Sequence, residues 1–276
     1  MGPLYLTKRI EFSSSHFYSD PNLEPEKNLA RFGKESRTHG HNYLLELSLE
    51  GNVDAVTGMV INTVELKERI VKLLEEFDHK HLNLDLPYFK EKLPTPDNIA
   101  HTLGDLFTER NQDLTLSRVR LYENEESFAN YSPSLTLKPV RPDYLSHTQI
   151  YRFCAAHRLH SRQLSDEENR RIYGKCNNPN SHGHNYVLYV TLQGPQHGEA
   201  GTPENFKKYH QLIQREISDR YDHHYLDQDF EEFREQVSTA ENILVIIWNR
   251  LFPSLSDSLY KLKLIETRDN YFEYYG

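Results

Sequence analysis

The chain repeats itself once, and this duplication constrains its fold more than any other feature. Phe12 and His16 of FSSSH recur as Phe153 and His157 of FCAAH. Paired residues stay 141 to 144 positions apart, from 16 and 157 to 78 and 222. Because this spacing is much longer than a solenoid repeat, each half is predicted to be a whole domain. The other matched blocks are THGHNY with SHGHNY, FDHKHL with YDHHYL, TPDNI with TAENI, and LYE with LIE.

Hydrophobic periodicity predicts the same elements in each half. Tyr43, Leu45 and Leu47 alternate as in a strand, whereas Leu66 and Ile70 recur at helical spacing. The predicted fold class is α+β, with each half ordered ββααββ as a four-stranded antiparallel sheet carrying two helices on one face. The predicted elements are strands 4–13, 42–50, 118–123 and 128–131, a helical turn over 26–31, and helices from 62 or 63 to about 77 and from 95. In the second half they are strands near 148–156, 186–193, 259–267 and 271–275, and helices near 204–219 and 240–251.

A proline-rich stretch separates the two halves. Pro133, Pro139 and Pro142 lie in a segment with little hydrophobic periodicity, which is typical of a linker. The sequence therefore predicts a domain over residues 1–132, a linker over 133–144 and a second domain over 145–276.

Composition narrows the possible partners and the compartment. The net charge of −9 argues against nucleic acid or an acidic membrane surface as a partner. Two cysteines make no disulfide framework, which favours a reducing compartment. No apolar run reaches the length of a membrane span, and the N-terminus lacks a signal-peptide pattern. We therefore expect a cytoplasmic protein with a small-molecule substrate.

Three histidines of the second half have the spacing of a metal site. In YGKCNNPNSHGHNY, His182 and His184 lie two residues apart, so on a strand both side chains project from one face. His157 is the third candidate ligand. Three imidazoles leave the fourth position of a tetrahedral zinc ion open, which is the catalytic arrangement. Cys176 is then a better candidate for a base than for a ligand. The repeat predicts a second zinc site in the first half, at His16, His39 and His41.

An aspartate followed by histidine recurs in both halves, as Asp78-His79 and Asp222-His223. A carboxylate that orients an imidazole could relay a proton to or from a thiol. Adjacent residues of this kind are more often ordinary surface groups. The recurrence of the pair in both halves is therefore the main feature of the sequence that favours a catalytic role.

These motifs resemble the 6-pyruvoyl-tetrahydropterin synthase / 6-carboxy-tetrahydropterin synthase family over nearly the whole of each half. The resemblance implies the T-fold, with subunits joined edge to edge into barrels. It implies 7,8-dihydroneopterin triphosphate as substrate, with Cys176, Asp222 and His223 shuttling protons beside zinc. It also implies that Glu241 anchors the pterin ring and that Glu266 acts at the same site.

The two halves depart from the family pattern in different places. The first half has Glu35 where the second has Cys176, and it keeps Asp78, His79, Asp97 and Glu123. A glutamate at this position resembles a related class of enzymes that cleaves the dihydroneopterin side chain. Two possibilities therefore remain for the first half: a divergent active site, or no activity. The first half keeps a family-like segment, Thr57–Asn62, which the second half replaces with Ala200–Asn205.

Three functions remain open from the sequence. Five residues between Cys176 and HGH favour the pyruvoyl-forming type, with the carboxy-forming enzyme of queuosine biosynthesis as the alternative. A non-catalytic scaffold that binds metal and pterin is the third possibility. Because single-domain members of the family resemble stacked trimers, we expect a homotrimer that forms a pseudo-hexamer.

Overall fold

The computed structural model of the chain describes residues 2–124, 127–133, 144–195 and 203–276. Residues 134–143 of the predicted linker lie outside the described residues, and so do residues 200–202 of the Ala200–Asn205 segment.

The strands and helices follow the predicted order in both halves. The strands are β1 (Leu4–His16), β2 (His39–Gly51), β3 (Lys80–His81), β4 (Thr115–Tyr122), β5 (Phe128–Tyr131), β6 (Tyr144–His157), β7 (His182–Pro195), β8 (His224–Tyr225), β9 (Leu259–Thr267) and β10 (Asn270–Tyr274). The helices are α1 (Pro25–Phe32), α2 (Thr63–Leu74), α3 (Leu82–Asp85), α4 (Pro96–Arg110), α5 (Asp166–Tyr173), α6 (Pro203–Ile213), α7 (Asp219–Tyr221), α8 (Leu226–Asp229) and α9 (Ala240–Leu255). The predicted α+β class is confirmed.

Packing divides the chain into two compact units whose boundaries differ from those of the repeat. The first-half unit contains Thr7–Leu49 and Thr63–Thr136. The second-half unit contains Leu137–Gly276 together with Met1–Leu6 and Glu50–Asn62. A segment of the first repeat therefore packs as part of the second-half unit.

The first-half unit is a sheet backed by two long helices. Its strands lie in the order β5-β4-β2-β1, and the two-residue β3 pairs in parallel with the end of β1. Leu45 and Leu47 of β2 are fully buried, as are Leu66 of α2 and Leu103 of α4. The alternation on β2 and the helical spacing on α2 and α4 thus build one hydrophobic core.

The second-half unit repeats this arrangement with strand order β10-β9-β7-β6-β8. β6 and β7 are antiparallel, and their register places His157 opposite His182 and Ala155 opposite His184. The apolar face of α9, including Ile243, Ile247 and Leu251, is fully buried. The register of this one strand pair brings the predicted metal ligands together.

Local signals account for the helix starts, but not for every helix. Thr95 and Thr239 cap α4 and α9, each accepting a hydrogen bond from the N–H three residues later. The helix predicted near 204–219 is interrupted: α6 ends at Ile213, and a π-helical turn over Gln214–Ser218 leads into α7. Among the described residues, no helix combines the length and apolar character needed to cross a bilayer.

Candidate metal centre and active site

The three histidines of the second half converge on one point. Their candidate ligand atoms all lie within 4.8 Å of one another, and His157 Nε2 is 3.1 Å from His182 Nε2. His157 is fully buried, and its Nδ1 donates to the Ser238 carbonyl at 2.7 Å. Because a carbonyl can only accept, this bond places the proton on Nδ1 and leaves the Nε2 lone pair facing His182 and His184.

The electrostatics of this triad suit metal binding. Burial lowers the pKa of His157 to about 3 and that of His184 to about 4, and it also lowers the pKa of His182. All three imidazoles are therefore neutral at neutral pH, which is the form that ligates a metal ion.

The first-half triad has nearly the same geometry. The ring centroids of His16, His39 and His41 are 4.5, 5.2 and 5.1 Å apart, and the corresponding distances in the second half are also 4.5, 5.2 and 5.1 Å. His16 is held by a bond from Nδ1 to the Pro94 carbonyl, and burial lowers its pKa to about 4. The buried Nε2 atoms of His16 and His41 have no hydrogen-bond partner among the described residues. Both triads could therefore hold a metal ion.

Cys176 lies on a 3-10 turn, Gly174–Asn177, directly after α5. Gly174 has φ +52°, a conformation that favours glycine, and it ends a helix that begins with a capping box at Ser165. Burial and the Glu266 carboxylate raise the pKa of the Cys176 thiol. Because the triad histidines are neutral, they provide no imidazolium that would lower the pKa of this thiol.

Glu35 occupies the matching place in the first half, on the 3-10 turn Gly33–Ser36 after α1. Its Oε2 atom lies 2.7 Å from His39 Nε2. The carboxylate at this position therefore contacts a predicted metal ligand directly.

Each half also carries a pre-oriented Asp–His pair. Asp222 Oδ1 accepts from the Cys154 N–H at 2.7 Å, and Oδ2 lies 2.8 Å from His223 Nδ1. The Cys154 N–H bond is the main cause of a lowered Asp222 pKa, so this carboxylate is ionised. His223 adopts φ +61°, and its own N–H donates to the Cys154 carbonyl at 2.6 Å. The first half repeats these contacts with Asp78, His79 and Ser13.

The Asp222–His223 pair does not reach Cys176 within the chain. The His223 side chain is 81% exposed, and in the described ranges no hydrogen bond joins it to the Cys176 thiol. The structure thus brings together the histidine triad and Glu266, and it leaves this pair at the surface.

One acid, Glu266, adjoins the second-half triad, and the buried acid Glu241 lies close enough to Glu266 for their charges to interact. Glu266 Oε1 lies 3.9 Å from His157 Nε2 and 3.8 Å from His184 Nε2. Burial raises the pKa of Glu266 to about 7 and that of Glu241 to about 8. In the first half, Glu123 Oε1 lies 3.5 Å from His41 Nε2, whereas Asp97, at the position of Glu241, is exposed.

The segment Glu50–Asn62, which sequence reasoning did not place at this site, covers Glu241. The Val60 N–H donates to Glu241 Oε1 at 3.3 Å, and the Gly58 carbonyl accepts from Thr239 Oγ1 at 2.5 Å. The Tyr173 hydroxyl donates to the Thr57 carbonyl at 2.9 Å. The retention of TGMVIN in only the first half was the available signal, because a segment absent from one repeat can be supplied by the other.

Comparisons with known proteins find pterin-synthase relatives and a family match in each half. The family described as 6-pyruvoyl tetrahydropterin synthase matches residues 5–134 and 147–276. The 6-pyruvoyl tetrahydrobiopterin synthase of Dictyostelium discoideum is 44% identical over 124 residues, which cover 45% of this chain and 90% of that protein. The 6-carboxy-5,6,7,8-tetrahydropterin synthase of Rickettsia felis is 28% identical over 141 residues, covering 44% of this chain and 95% of that protein. The solved structure of Caenorhabditis elegans 6-pyruvoyl tetrahydropterin synthase has a TM-score of 0.46 at 39% identity, covering 50% of this chain and 99% of that one.

Proposed function

Because the chain belongs to the 6-pyruvoyl tetrahydropterin synthase family, we propose that its second half is a zinc-dependent 6-pyruvoyl-tetrahydropterin synthase. It would convert 7,8-dihydroneopterin triphosphate into 6-pyruvoyl-tetrahydropterin and triphosphate. The observation that carries the proposal is the neutral triad of His157, His182 and His184 with the carboxyl group of Glu266 against it.

Glu241 and Glu266 would hold the pterin ring. The exocyclic amine and the adjacent ring N–H are donors, and a carboxylate accepts both in a paired, charge-assisted arrangement. Burial raises the pKa of Glu241 to about 8, so the free enzyme carries its proton at neutral pH. Pterin binding to the carboxylate form would therefore release a proton.

The second-half triad fits zinc, since three neutral imidazoles with an open fourth position form a catalytic site. Zinc, when bound there, would make a substrate hydroxyl more acidic and would favour the thiolate of Cys176 by its charge. The Nδ1 hydrogen bond from His157 to Ser238 would keep that ring in its ligating tautomer and orientation.

Cys176 would remove a proton from a side-chain carbon, and the Asp222–His223 pair of a neighbouring copy would carry protons to and from the reaction. The hydrogens that leave the side chain would be returned to the pyrazine ring, and triphosphate would depart with the electron pair of its C–O bond. The side chain is thus oxidised as the ring is reduced, so the reaction needs no external electron carrier.

Two observations favour the pyruvoyl over the carboxy product. Five residues separate Cys176 from HGH, as in the pyruvoyl-forming type. The identity to the Dictyostelium relative is 44%, against 28% to the Rickettsia relative.

We propose that the first half is catalytically silent. A carboxylate such as that of Glu35 is a weaker base toward a carbon acid than a thiolate. Asp97, at the position of the pterin anchor, is exposed rather than buried.

Product analysis with 7,8-dihydroneopterin triphosphate tests the proposal. We expect 6-pyruvoyl-tetrahydropterin and stoichiometric triphosphate from the wild-type protein loaded with zinc. A 6-carboxy product would identify the protein as the carboxy-forming enzyme. If no substrate were consumed, the non-catalytic scaffold role would be favoured.

A further inference from the structure

A cavity of about 240 Å³ in the second-half unit has no role in the site described above. We call it the arginine cavity because three arginines, Arg158, Arg162 and Arg234, line it together with His160. Its wall also includes Ala55, Val56, Asp227 and Glu235.

The arginine cavity borders the candidate active site. Arg158 follows the metal-ligand candidate His157, and its Nε donates to the Asn177 carbonyl at 3.2 Å, one residue after Cys176. Asp227 accepts from Ser238 Oγ at 2.7 Å, and the Ser238 carbonyl is the group that holds His157. Hydrogen bonds therefore join the cavity wall to both the triad and the cysteine turn.

The cavity also borders the segment that contacts Glu241. Ala55 and Val56 belong to the segment Glu50–Asn62, whose Val60 N–H contacts Glu241. The cavity therefore belongs to the same unit as Glu241 and the triad. A ligand anchored at Glu241 and extending past the triad would find this cavity next to it.

The charge of the cavity suits an anion. Its lining includes three arginines and two acids, Asp227 and Glu235. Arg234 pairs with Glu231 at 3.4 Å, but both side chains are largely exposed, so this ion pair is weak. Asp227 already accepts a hydrogen bond from Ser238 Oγ and another, at 2.8 Å, from the backbone N–H of Arg158. Glu235 pairs with Arg162 only at 3.7 Å, and both side chains are largely exposed, so this ion pair is weak. Burial is the main cause of the lowered pKa of His160; the charges of Arg158 and Arg162 lower it further, whereas Asp166 raises it.

The first half carries the same cavity with a different lining. Phe17, Ser19 and Pro21 lie 141 residues before Arg158, His160 and Arg162, and Lys90 lies 144 residues before Arg234. These first-half residues line a cavity of about 600 Å³. The fold therefore leaves a cavity at this place in both repeats. The second repeat lines it with three arginines, whereas the first lines it with Arg31 and two lysines, Lys90 and Lys92, which lack the planar guanidinium fork.

We propose that the arginine cavity binds an oligophosphate chain. A further assignment rests on the proposed function: the cavity would hold the triphosphate of the substrate and of the released product. Guanidinium groups match phosphate oxygens in paired hydrogen bonds, and several of them together can hold a multiply charged chain. Arg158 and Arg234 would thus keep the leaving group in place while Cys176 acts on the side chain.

Titration calorimetry with sodium tripolyphosphate tests the site without any turnover. We expect the wild-type, metal-loaded protein to bind it, and Arg158→Ala and Arg234→Ala each to weaken binding by about 10-fold or more. Arg158→Lys should restore part of the affinity, since it keeps the charge and loses the planar fork. Lys90→Ala, at the matching place in the first-half cavity, should leave the affinity unchanged.

Steady-state kinetics then separate this inference from the proposed function. The KM for the triphosphate substrate should rise about 10-fold in Arg234→Ala, while the affinity for dihydroneopterin, which lacks phosphate, stays as in wild type. Turnover with an unchanged KM, or equal loss of tripolyphosphate affinity in Lys90→Ala, would overturn the inference alone. Arginine-dependent binding of tripolyphosphate by a protein without turnover would support the anion site and reject the proposed reaction.

Discussion

Cys176 is the residue on which the proposed chemistry depends most. It lies on a turn near, but outside, the cluster of candidate metal ligands. We therefore expect Cys176→Ala to reduce turnover by at least about 1,000-fold while folding and zinc content stay as in wild type. Product assays and elemental analysis of the same preparation would measure both effects.

The other cysteine supplies the matched control for that experiment. Cys154 donates from Sγ to Asn185 on the neighbouring strand, so Cys154→Ala should keep most of the activity. If Cys176→Ala retained the wild-type rate, the thiol would be structural. Formation of 6-hydroxymethyl-dihydropterin by Cys176→Ala, and its loss on adding Glu35→Ala, would show that the first half is active instead of silent.

The buried acid Glu241 should make stability depend on pH. Burial raises its pKa from 4.5 to about 8. Between these values the folded protein holds one proton more than the unfolded chain, so the free energy of unfolding falls as pH rises. The slope from this residue alone is about 1.4 kcal/mol per pH unit, and it ends near pH 8.

Urea denaturation of wild type and Glu241→Gln from pH 5 to 9 would isolate this contribution. We expect wild type to lose stability relative to the variant up to about pH 8, after which the two curves should run parallel. Parallel curves over the whole range would mean that Glu241 is ionised in the folded protein.

At the scale of elements, the segment Glu50–Asn62 links the first repeat to the function of the second. Gly58 has φ +71°, and a Cβ there would lie 2.7 Å from Asn242 Nδ2. Gly58→Ala should therefore displace the segment and the Val60 N–H that contacts Glu241. We expect at least about 10-fold weaker binding of a pterin by calorimetry, with the zinc content unchanged.

Gly33→Ala is a control of matched backbone conformation. Gly33 has φ +59°, but a Cβ there would meet no atom within 4 Å. Both variants carry the strain of an alanine at positive φ, so the difference between them reports the contact with Asn242. Equal pterin affinity in the two variants would show that the segment does not support the site.

Signals that are local in sequence predicted most of the elements. The Thr95 and Thr239 caps, the alternation in β2 and the HxH motifs at the starts of β2 and β7 depend on neighbouring residues, and the structure contains each of them. The convergence of His157 with His182 followed from the repeat and from strand periodicity.

What the sequence did not predict depends on contacts between distant residues. No local pattern reveals that Glu50–Asn62 packs over Glu241, nor that β3 pairs in parallel with β1 and β8 with β6. The positive φ of His223, which turns its ring onto Asp222, is unusual for a residue other than glycine and carries no sequence signal. The raised pKa of Cys176 likewise comes from burial by distant residues.

At the scale of the whole molecule, the two triads predict two metal ions per chain. Their ring spacings agree, and each has a buried histidine held by a backbone carbonyl. Elemental analysis should give about two zinc ions per chain in wild type and about one in His39→Ala. A wild-type value near one, unaffected by His39→Ala, would mean that the first triad has lost its metal.

Assembly is the remaining prediction, and the exposed Asp222–His223 pair argues for it. The pair is oriented for proton transfer, yet its imidazole is 81% exposed and makes no hydrogen bond to Cys176 in the described part of the chain. We expect a neighbouring copy to bring its own Cys176 to this pair, in a homotrimer whose mass is three times 32.6 kDa, about 98 kDa. Light scattering would measure that mass, and a monomer at micromolar concentration would contradict it.

Mixing two inactive variants tests whether the copies share their sites. Cys176→Ala and His223→Ala should each be inactive alone, because each lacks one member of every site. In trimers assembled from equal amounts of both, a site that joins one chain's thiol to its neighbour's imidazole is intact in about a quarter of cases. Recovery of about a quarter of wild-type activity after co-expression would therefore place the site between chains. If thiol and imidazole came from the same chain, every site in the mixture would still lack one of them, and the mixture would stay inactive.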